Sequence, residues 1–303
     1  MPVAVSVSGM NGAQAAVERL ASWFREAGPV VVALSGGVDS ALLAVVASQE
    51  LGEAALAVTG VSLSLPRDEL DFVRQFVSRH GIAHLEIETG EFDDPAYLAN
   101  SSDRCYFCKS HLFEAVLPVV SRLGATVVVG TNLDDLDDFR PGQRAAELYG
   151  VRSPYVECSI GKAEIRGAAL LLGLAEIAGK PASACLSSRI PYGTPVSLRR
   201  LSAVEEFERY LRDLGFSQCR VRHHGEIARI EVVPEEFELA VAEKDSIAGE
   251  GRRLGFIYTT LDLGGLVRGS LNLMSGRRDG AVQSQALVRG RADPRADYRA
   301  PCQ

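Results

Sequence analysis

The stretch VVALSGGVDSALLAVV, residues 31–46, places two adjacent glycines, two serines and an aspartate between two apolar runs. Glycines let a backbone turn tightly with its N–H groups pointing inward. A helix starting near Asp39 or Ser40 would add the partial positive charge of its N-terminus, and the combination suits a phosphate. Ser35 and Ser40 add hydroxyl donors, and Asp39 adds a carboxylate able to hold Mg2+ bound to that phosphate. No lysine follows in a G-K-[ST] arrangement, so this is not the phosphate cradle of a P-loop nucleotidase. A plain Gly-Gly turn between a strand and a capped helix is the alternative for the glycines alone.

Sulfur supplies the second set of candidates. SSDRCYFCKSHLF sets Cys105 and Cys108 as C-x-x-C just ahead of a helical pattern, between Arg104 and Lys109. Positive neighbours and a helix N-terminus favour the thiolate form. ASACLSSRIPYGTPV holds Cys185, with Arg189 close by and Pro191, Gly193 and Pro195 stiffening the loop. Each alone has an ordinary explanation: C-x-x-C as half a zinc site or a redox pair, a single cysteine as a small buried side chain. Together they offer three thiolates to one centre. A [4Fe–4S] cluster ordinarily takes four, so three would leave one iron open to carry sulfur. A zinc site would need a fourth ligand, for which only Cys158, His111, His223 and His224 stand as candidates. Cys158, Cys219 and Cys302 read as structural or incidental.

Charge supplies the third set. Arg220 and Arg222 alternate in CRVRHHG, which aims both at one face of a strand. Guanidinium forks suit phosphate, although a surface strand explains the same pattern. Glu208 sits on a charged amphipathic helix, and Arg140 and Arg189 are further cations near the candidate loops. The acidic DDLDD, residues 134–138, reads as a solvated loop unless Gly130-Thr131-Asn132 before it marks a ligand site.

The elements that must position these residues alternate in type. Strands are expected at 30–34, 54–62, 83–88 and 125–130, with helices at 40–50, 66–80 and 109–123 between them. Strand and helix in alternation mean βαβ units, right-handed crossovers and a parallel sheet. Ligands of such sheets bind at the carboxyl ends of the strands. Ser35-Gly36-Gly37 and Gly130-Thr131-Asn132 both fall there. After about Thr194 the pattern changes to a long helix at 197–214, strands at 219–225, 227–233 and 256–263, and a helix around 235–250. The fold class is α/β, a parallel-sheet domain over 1–194 followed by a smaller α+β domain over 195–275. Residues 276–303 carry few large apolar side chains and read as a flexible tail without a core.

The chain has 303 residues, 47% hydrophobic and 23% charged, which is globular composition with room for two domains. No apolar run reaches the roughly 18 residues of a membrane span, and no secretory leader is read at the start, so a cytoplasmic protein off the membrane is expected. Reduced cysteines fit that compartment. A net charge of −7 argues against nucleic acid as partner and for a small-molecule substrate.

The Ser-Gly-Gly-x-Asp-Ser turn resembles the PP-loop of ATP pyrophosphatases, which cleave ATP to AMP and pyrophosphate and activate an oxygen by adenylation. Over residues 15–275 the sequence resembles the LarE family of ATP-dependent sulfur transferases within that superfamily. The resemblance rests on ALSGGVDSALLA (33–44), DRCYFCKSHLF (103–113), GTNLDDLDDFRPG (130–142), VRSPYVE (151–157), GKAEIR (161–166), CLSSRIPYG (185–193), CRVRHHG (219–225) and GGLVRGSLN (264–272). It implies an adenine nucleotide α hydrolase-like domain. It also implies adenylation of a carboxylate of pyridinium-3,5-biscarboxylic acid mononucleotide, followed by conversion to a thiocarboxylate, in nickel-pincer cofactor biosynthesis. ATP and Mg2+ are the implied cofactors, a homo-oligomer the implied assembly, and a nickel-insertion protein an implied downstream partner.

By the same resemblance, Ser35, Gly36, Gly37, Asp39 and Ser40 form the pyrophosphate loop. Thr131, Asn132 and Asp135 form a second nucleotide motif. Arg220 and Arg222 take the substrate phosphate, with weaker matches at Arg268 and Glu208 and an unassigned active-site cation at Arg189. Cys185 falls on the sulfur-donor position, where some members sacrifice their cysteine to dehydroalanine. Cys105 and Cys108 fall on the extra pair of three-cysteine members, for which a [4Fe–4S] cluster on Cys105, Cys108 and Cys185 is implied. A cluster-dependent tRNA thiolase and an amide-forming PP-loop synthetase are the rival readings. The first lacks a basic face here, and the second leaves the three cysteines unexplained.

Overall fold

The computed structural model of the protein describes residues 7–136, 141–181 and 183–267. Arg140, Arg268, Cys302 and the expected tail lie outside the described residues.

Four strands form a parallel sheet: β1 (Val30–Ala33), β2 (Ala55–Val61), β3 (His84–Glu88) and β4 (Thr126–Val128), in the order β3-β2-β1-β4. The β-branched run VVVA places β1 inside the sheet, since parallel strands are covered on both faces. Alternation then divides its side chains. Val30 and Val32 join one core with Leu20, Phe24, Leu42 and Phe76, while Val31 joins the other with Val58, Phe113 and Val127. The first core is roofed by α1 (Val7–Ala27), α2 (Val38–Leu51) and α3 (Arg67–His80), the second by α5 (Arg104–Leu123), which follows the short α4 (Pro95–Leu98).

Expected and observed strands agree to within a few residues. The sequence reading assigns no element before Val30, yet α1 is a 21-residue helix there, fixed by apolar contacts with α2 and with a helix more than 130 positions later. That partner is α8 (Lys162–Leu171), which comes after α6 (Pro141–Leu148) and α7 (Pro154–Glu157) and before α9 (Ala175–Ala178). The helix expected from Lys109 begins at Arg104, so Cys105 and Cys108 lie inside its first turns rather than ahead of it.

The second sheet has three strands, β5 (Cys219–His224), β6 (Ile227–Val232) and β7 (Tyr258–Leu261). β5 and β6 are an antiparallel hairpin that turns at Gly225 with φ +66°. β7 runs parallel to β6, and a parallel neighbour needs a crossover. The expected helix around 235–250 supplies it in two pieces, α11 (Phe237–Ala242) and α12 (Lys244–Arg253). The sheet packs on α10 (Leu198–Asp213) through Val204, Phe207, Leu211, Val221 and Ile230. Tyr97, Leu186, Ile190 and Val196 belong to the same core. The second sheet is therefore the surface on which the Cys185 loop is built. No described helix is long and apolar enough to cross a membrane.

Candidate active site

The loop after β1 is a folded turn before any ligand arrives. Gly36 has φ +78°, and an added Cβ would lie 2.8 Å from Val73 Cγ2, so both conformation and space demand glycine. Gly37 is the extended N-cap residue of α2. The Ser40 hydroxyl accepts from the Ser35 N–H at 3.1 Å and donates to the Gly37 carbonyl at 3.2 Å, closing the turn. The Ser35 hydroxyl lies 3.1 Å from that of Ser40. A helix N-terminus, a glycine turn and two hydroxyls thus meet at the carboxyl end of an interior strand, the arrangement that neutralises a polyphosphate.

The second loop, after β4, comes alongside by close backbone approach. A Cβ on Gly130 would lie 2.9 Å from both Asp39 Cβ and Ser40 N. Thr131 follows, and Asn132 is buried. The Asn132 side chain donates to Asp39 Oδ1 at 3.3 Å and accepts from the Asp134 N–H at 3.0 Å. Asp135 closes the motif by accepting from the Asn132 N–H at 3.2 Å. DDLDD is thus partly a capping structure rather than only a solvated run.

Asp39 has a partner that the reading of the residues does not assign. Lys162, at the start of α8, donates to Asp39 Oδ1 at 2.6 Å and also contacts Oδ2, while its backbone N–H donates to Asp134 Oδ2 at 2.5 Å. The lysine absent from the Ser35–Ser40 turn is supplied from another helix. Gly161-Lys162 in GKAEIR is the sequence signal for it, legible only once α8 is known to point at the sheet's carboxyl edge.

The segments that carry the three cysteines are held side by side. Cys105 and Cys108, three apart on α5, share a helix face. Cys185 stands just before the helical turn Leu186–Arg189, and Leu186 N–H donates to the Ser64 carbonyl after β2 at 2.8 Å. Buried Arg104 joins the two segments, donating to Asn100 Oδ1 and to the Ser187 carbonyl, each at 2.7 Å. Asn100 holds φ +53° and in turn donates to the carbonyls of Ile190, Pro191 and Thr194. Tyr97 adds a hydroxyl contact to Ser187 at 2.7 Å.

Cys185 bears electrostatically on both Cys105 and Cys108. Burial pushes the Cys108 thiol up to about 12, reinforced by Cys185 and Glu91. Burial also raises Cys105, against the lowering effect of Arg104. Glu91 is 1% exposed, and its Oε2 has no hydrogen-bond partner among the described residues. Among the described residues no three His, Cys, Asp or Glu side chains close around one point as a single metal ion would require. Arg104 lies within electrostatic reach of Cys105 and Cys185.

Arg189 and Glu208 are both buried and form a two-point ion pair at 2.9 and 3.1 Å. Arg189 also donates to the carbonyls of Ala184 and Cys185, and Glu208 accepts from the Val221 N–H on the edge of β5. The pair ties the Cys185 loop to the second sheet. Arg222 is paired with Glu231 at 2.9 and 3.1 Å and donates to the Ser188 carbonyl at 3.0 Å. Arg220 faces a cavity of about 180 Å3 whose lining also includes Lys180, Ser183, Arg189, Glu208 and Arg212. Burial, then Arg189, lowers the pKa of Arg220. A crowded guanidinium at a cavity wall suits an incoming anion.

The sheet and its glycine turn define an α/β enzyme of the PP-loop class. A model of the asparagine synthase family matches residues 14–101, the part holding that turn and the first three strands, and ends before Cys105. The chain is 34% identical over 246 residues to the pyridinium-3,5-bisthiocarboxylic acid mononucleotide synthase of Lactiplantibacillus plantarum, covering 80% of this chain and 88% of that protein. It is 44% identical over 261 residues to an uncharacterized protein of Synechocystis, covering 84% and 96%. An uncharacterized protein of Methanocaldococcus jannaschii is 28% identical over 240 residues, 77% of this chain and 89% of its own length. The chain belongs to the LarE family of the PP-loop superfamily.

Proposed function

We propose that the protein uses ATP to convert a carboxylate of pyridinium-3,5-biscarboxylic acid mononucleotide into a thiocarboxylate, a step of nickel-pincer cofactor biosynthesis. What supports this reading is the Ser35–Ser40 turn after β1 together with the Cys185 loop, whose Leu186 N–H reaches the Ser64 carbonyl after β2 and whose Ser187 carbonyl accepts from Arg104 beside Cys105. The relative from Lactiplantibacillus plantarum bears the name of that activity.

A carboxylate is a poor electrophile. Its oxygen attacks the α-phosphorus of ATP, and pyrophosphate departs. The Gly36–Gly37 turn and the start of α2 neutralise the departing charge; Asp39, oriented by Asn132, would hold Mg2+, which would supply further positive charge there. Lys162 neutralises Asp39 and, were that carboxylate taken by a metal ion, would be left to donate to a phosphate oxygen. Arg220 holds the phosphate of the mononucleotide at the cavity wall, on a frame kept by Arg189–Glu208 and Arg222–Glu231. A sulfur nucleophile from the Cys185 side then attacks the acyl carbon, and AMP leaves with the electron pair. Cys105, Cys108 and Cys185 are the residues that would hold a [4Fe–4S] cluster, whose open iron would carry sulfide taken up from solution for each turnover. Without one, Cys185 itself is the sulfur donor: its thiolate forms a thioester with the acyl carbon, a base removes its α-proton, and the Cβ–Sγ bond breaks to leave the thiocarboxylate and dehydroalanine.

The test is purification without oxygen, then iron and acid-labile sulfide per chain for wild type and Cys105→Ala. It is joined to a reaction with ATP, Mg2+ and the dicarboxylate mononucleotide. AMP, pyrophosphate and a thiocarboxylate by mass spectrometry are expected, lost in Cys185→Ala while pyrophosphate exchange persists. About four irons per chain, lost in Cys105→Ala, support the cluster. No iron, with Cys185 converted to dehydroalanine after one turnover, assigns the sulfur to Cys185. No AMP from this substrate removes the reading.

A further inference from the structure

Lys180 lies just after α9, and its side chain is 15% exposed. Its ammonium donates to the Gly36 carbonyl at 3.1 Å and to Glu69 Oε2 at 2.7 Å, and stands 3.4 Å from the centre of the Phe72 ring. An ammonium has three N–H donors. Two hydrogen bonds and one aromatic face take up all three directions. Lys180 is therefore not poised to touch a phosphate itself.

Its influence runs through the backbone. The carbonyl of Gly36 and the N–H of Gly37 belong to one peptide group. A charged donor on the oxygen polarises that group and makes its N–H a stronger donor. Gly37 is the N-cap residue of α2, where an anion at the turn would meet backbone N–H groups. Glu69 sits in the first turn of α3 and keeps the ammonium in place. From the same helix, Val73 holds the other side of Gly36. The turn is thus held by α3 through Val73 and by Lys180, which α3 itself anchors through Glu69 and Phe72.

We infer that Lys180 is a positioning residue for the phosphates of ATP, acting through the Gly36–Gly37 peptide rather than by contact. This rests on reading the Ser35–Ser40 turn as the phosphate site. Lys162 contacts Asp39 and is available to the phosphate side of the turn, whereas Lys180 sets the polarity of the turn from behind. The two lysines that stand in for the missing P-loop lysine thus have different roles.

The experiment measures affinity by calorimetry for ATP with Mg2+, for inorganic pyrophosphate and for adenosine, in wild type, Lys180→Met and Lys180→Arg. The methionine variant should bind ATP and pyrophosphate about tenfold more weakly, the loss of one charge-assisted bond felt at one remove. Adenosine affinity should not change, and arginine should recover most of the loss. Unchanged ATP and pyrophosphate affinity in the methionine variant overturns the inference, as does an equal loss for adenosine. If that variant fails to fold, Lys180→Gln, which keeps a donor without charge, gives the same readout: wild-type pyrophosphate affinity there overturns the inference. Wild type that binds neither ATP nor pyrophosphate overturns the phosphate reading itself, and this inference with it.

Discussion

The parallel sheet and the second sheet hold charge in opposite ways. On the first, the site is mainly backbone: a glycine turn, a helix start and a close crossing at Gly130, with Ser40 and Asn132 closing turns and the partly exposed pairs Asp39–Lys162 and Glu69–Lys180 beside them. On the second, it is made of ions drawn into a core. Arg189–Glu208 and Arg222–Glu231 are buried, and Arg229 bridges Glu231 and Asp262. A backbone site costs little to keep empty, because water satisfies its N–H groups until a phosphate displaces it. An ionic frame does not tolerate an empty partner, because removing one charge strands the other away from water. The first is suited to a ligand that comes and goes; the second is suited to fixing a loop, here the one carrying Cys185.

The contrast can be broken most forcefully at Glu208. Glu208→Ala leaves Arg189 charged and buried, and should lower unfolding stability by about 3–5 kcal/mol. Urea denaturation reads this, and a loss below 1 kcal/mol would mean that the frame is not built on the pair. Asp39→Asn is the counterpart on the first sheet. It should leave stability nearly intact yet slow ATP–pyrophosphate exchange about a hundredfold, by removing the carboxylate proposed to hold Mg2+ and the partner of Lys162. A stability loss as large as that of Glu208→Ala would erase the distinction between the regions.

Gly36→Ala probes the backbone directly. A left-handed φ and a Cβ driven against Val73 should cost about 1–3 kcal/mol of stability and weaken ATP binding as well. Normal ATP affinity in a folded Gly36→Ala protein would show that the turn is not the phosphate site. The smallest effect is in pH. Burial lowers His84 on the first sheet and His223 and His224 on the second below the ordinary value of 6.5. The unfolded chain then binds protons more readily than the native one. Stability from these groups is intact above pH about 6.5 and declines as pH falls below it, until the depressed native values are passed. His84→Gln should flatten part of that decline in urea midpoints between pH 7 and 5; an unchanged slope would place its source on the second sheet.

Residue types alone carried the first region. The β-branched runs, the Ser-Gly-Gly-x-Asp-Ser turn and the alternation of strand and helix announce a parallel sheet with a glycine turn at its carboxyl edge, because each signal is local: a β-branched run, a glycine turn and a helix start need only their neighbours. The same locality explains why CRVRHHG was legible as a strand and GKAEIR was not legible as a source of charge for Asp39.

What only the tertiary structure decided is partnership. Nothing local says that Lys162 meets Asp39 across 123 positions, that Lys180 reaches back to Gly36, or that Arg189 is satisfied by Glu208 while Arg220 faces a cavity. Nor does spacing reveal that Arg104 and Asn100 draw Cys105 and Cys108 to the Cys185 loop. A charge or a thiol in a sequence has a type but no environment. Burial and its nearest opposite charge determine whether it holds a loop or awaits a ligand, and both are set by segments far apart in the chain.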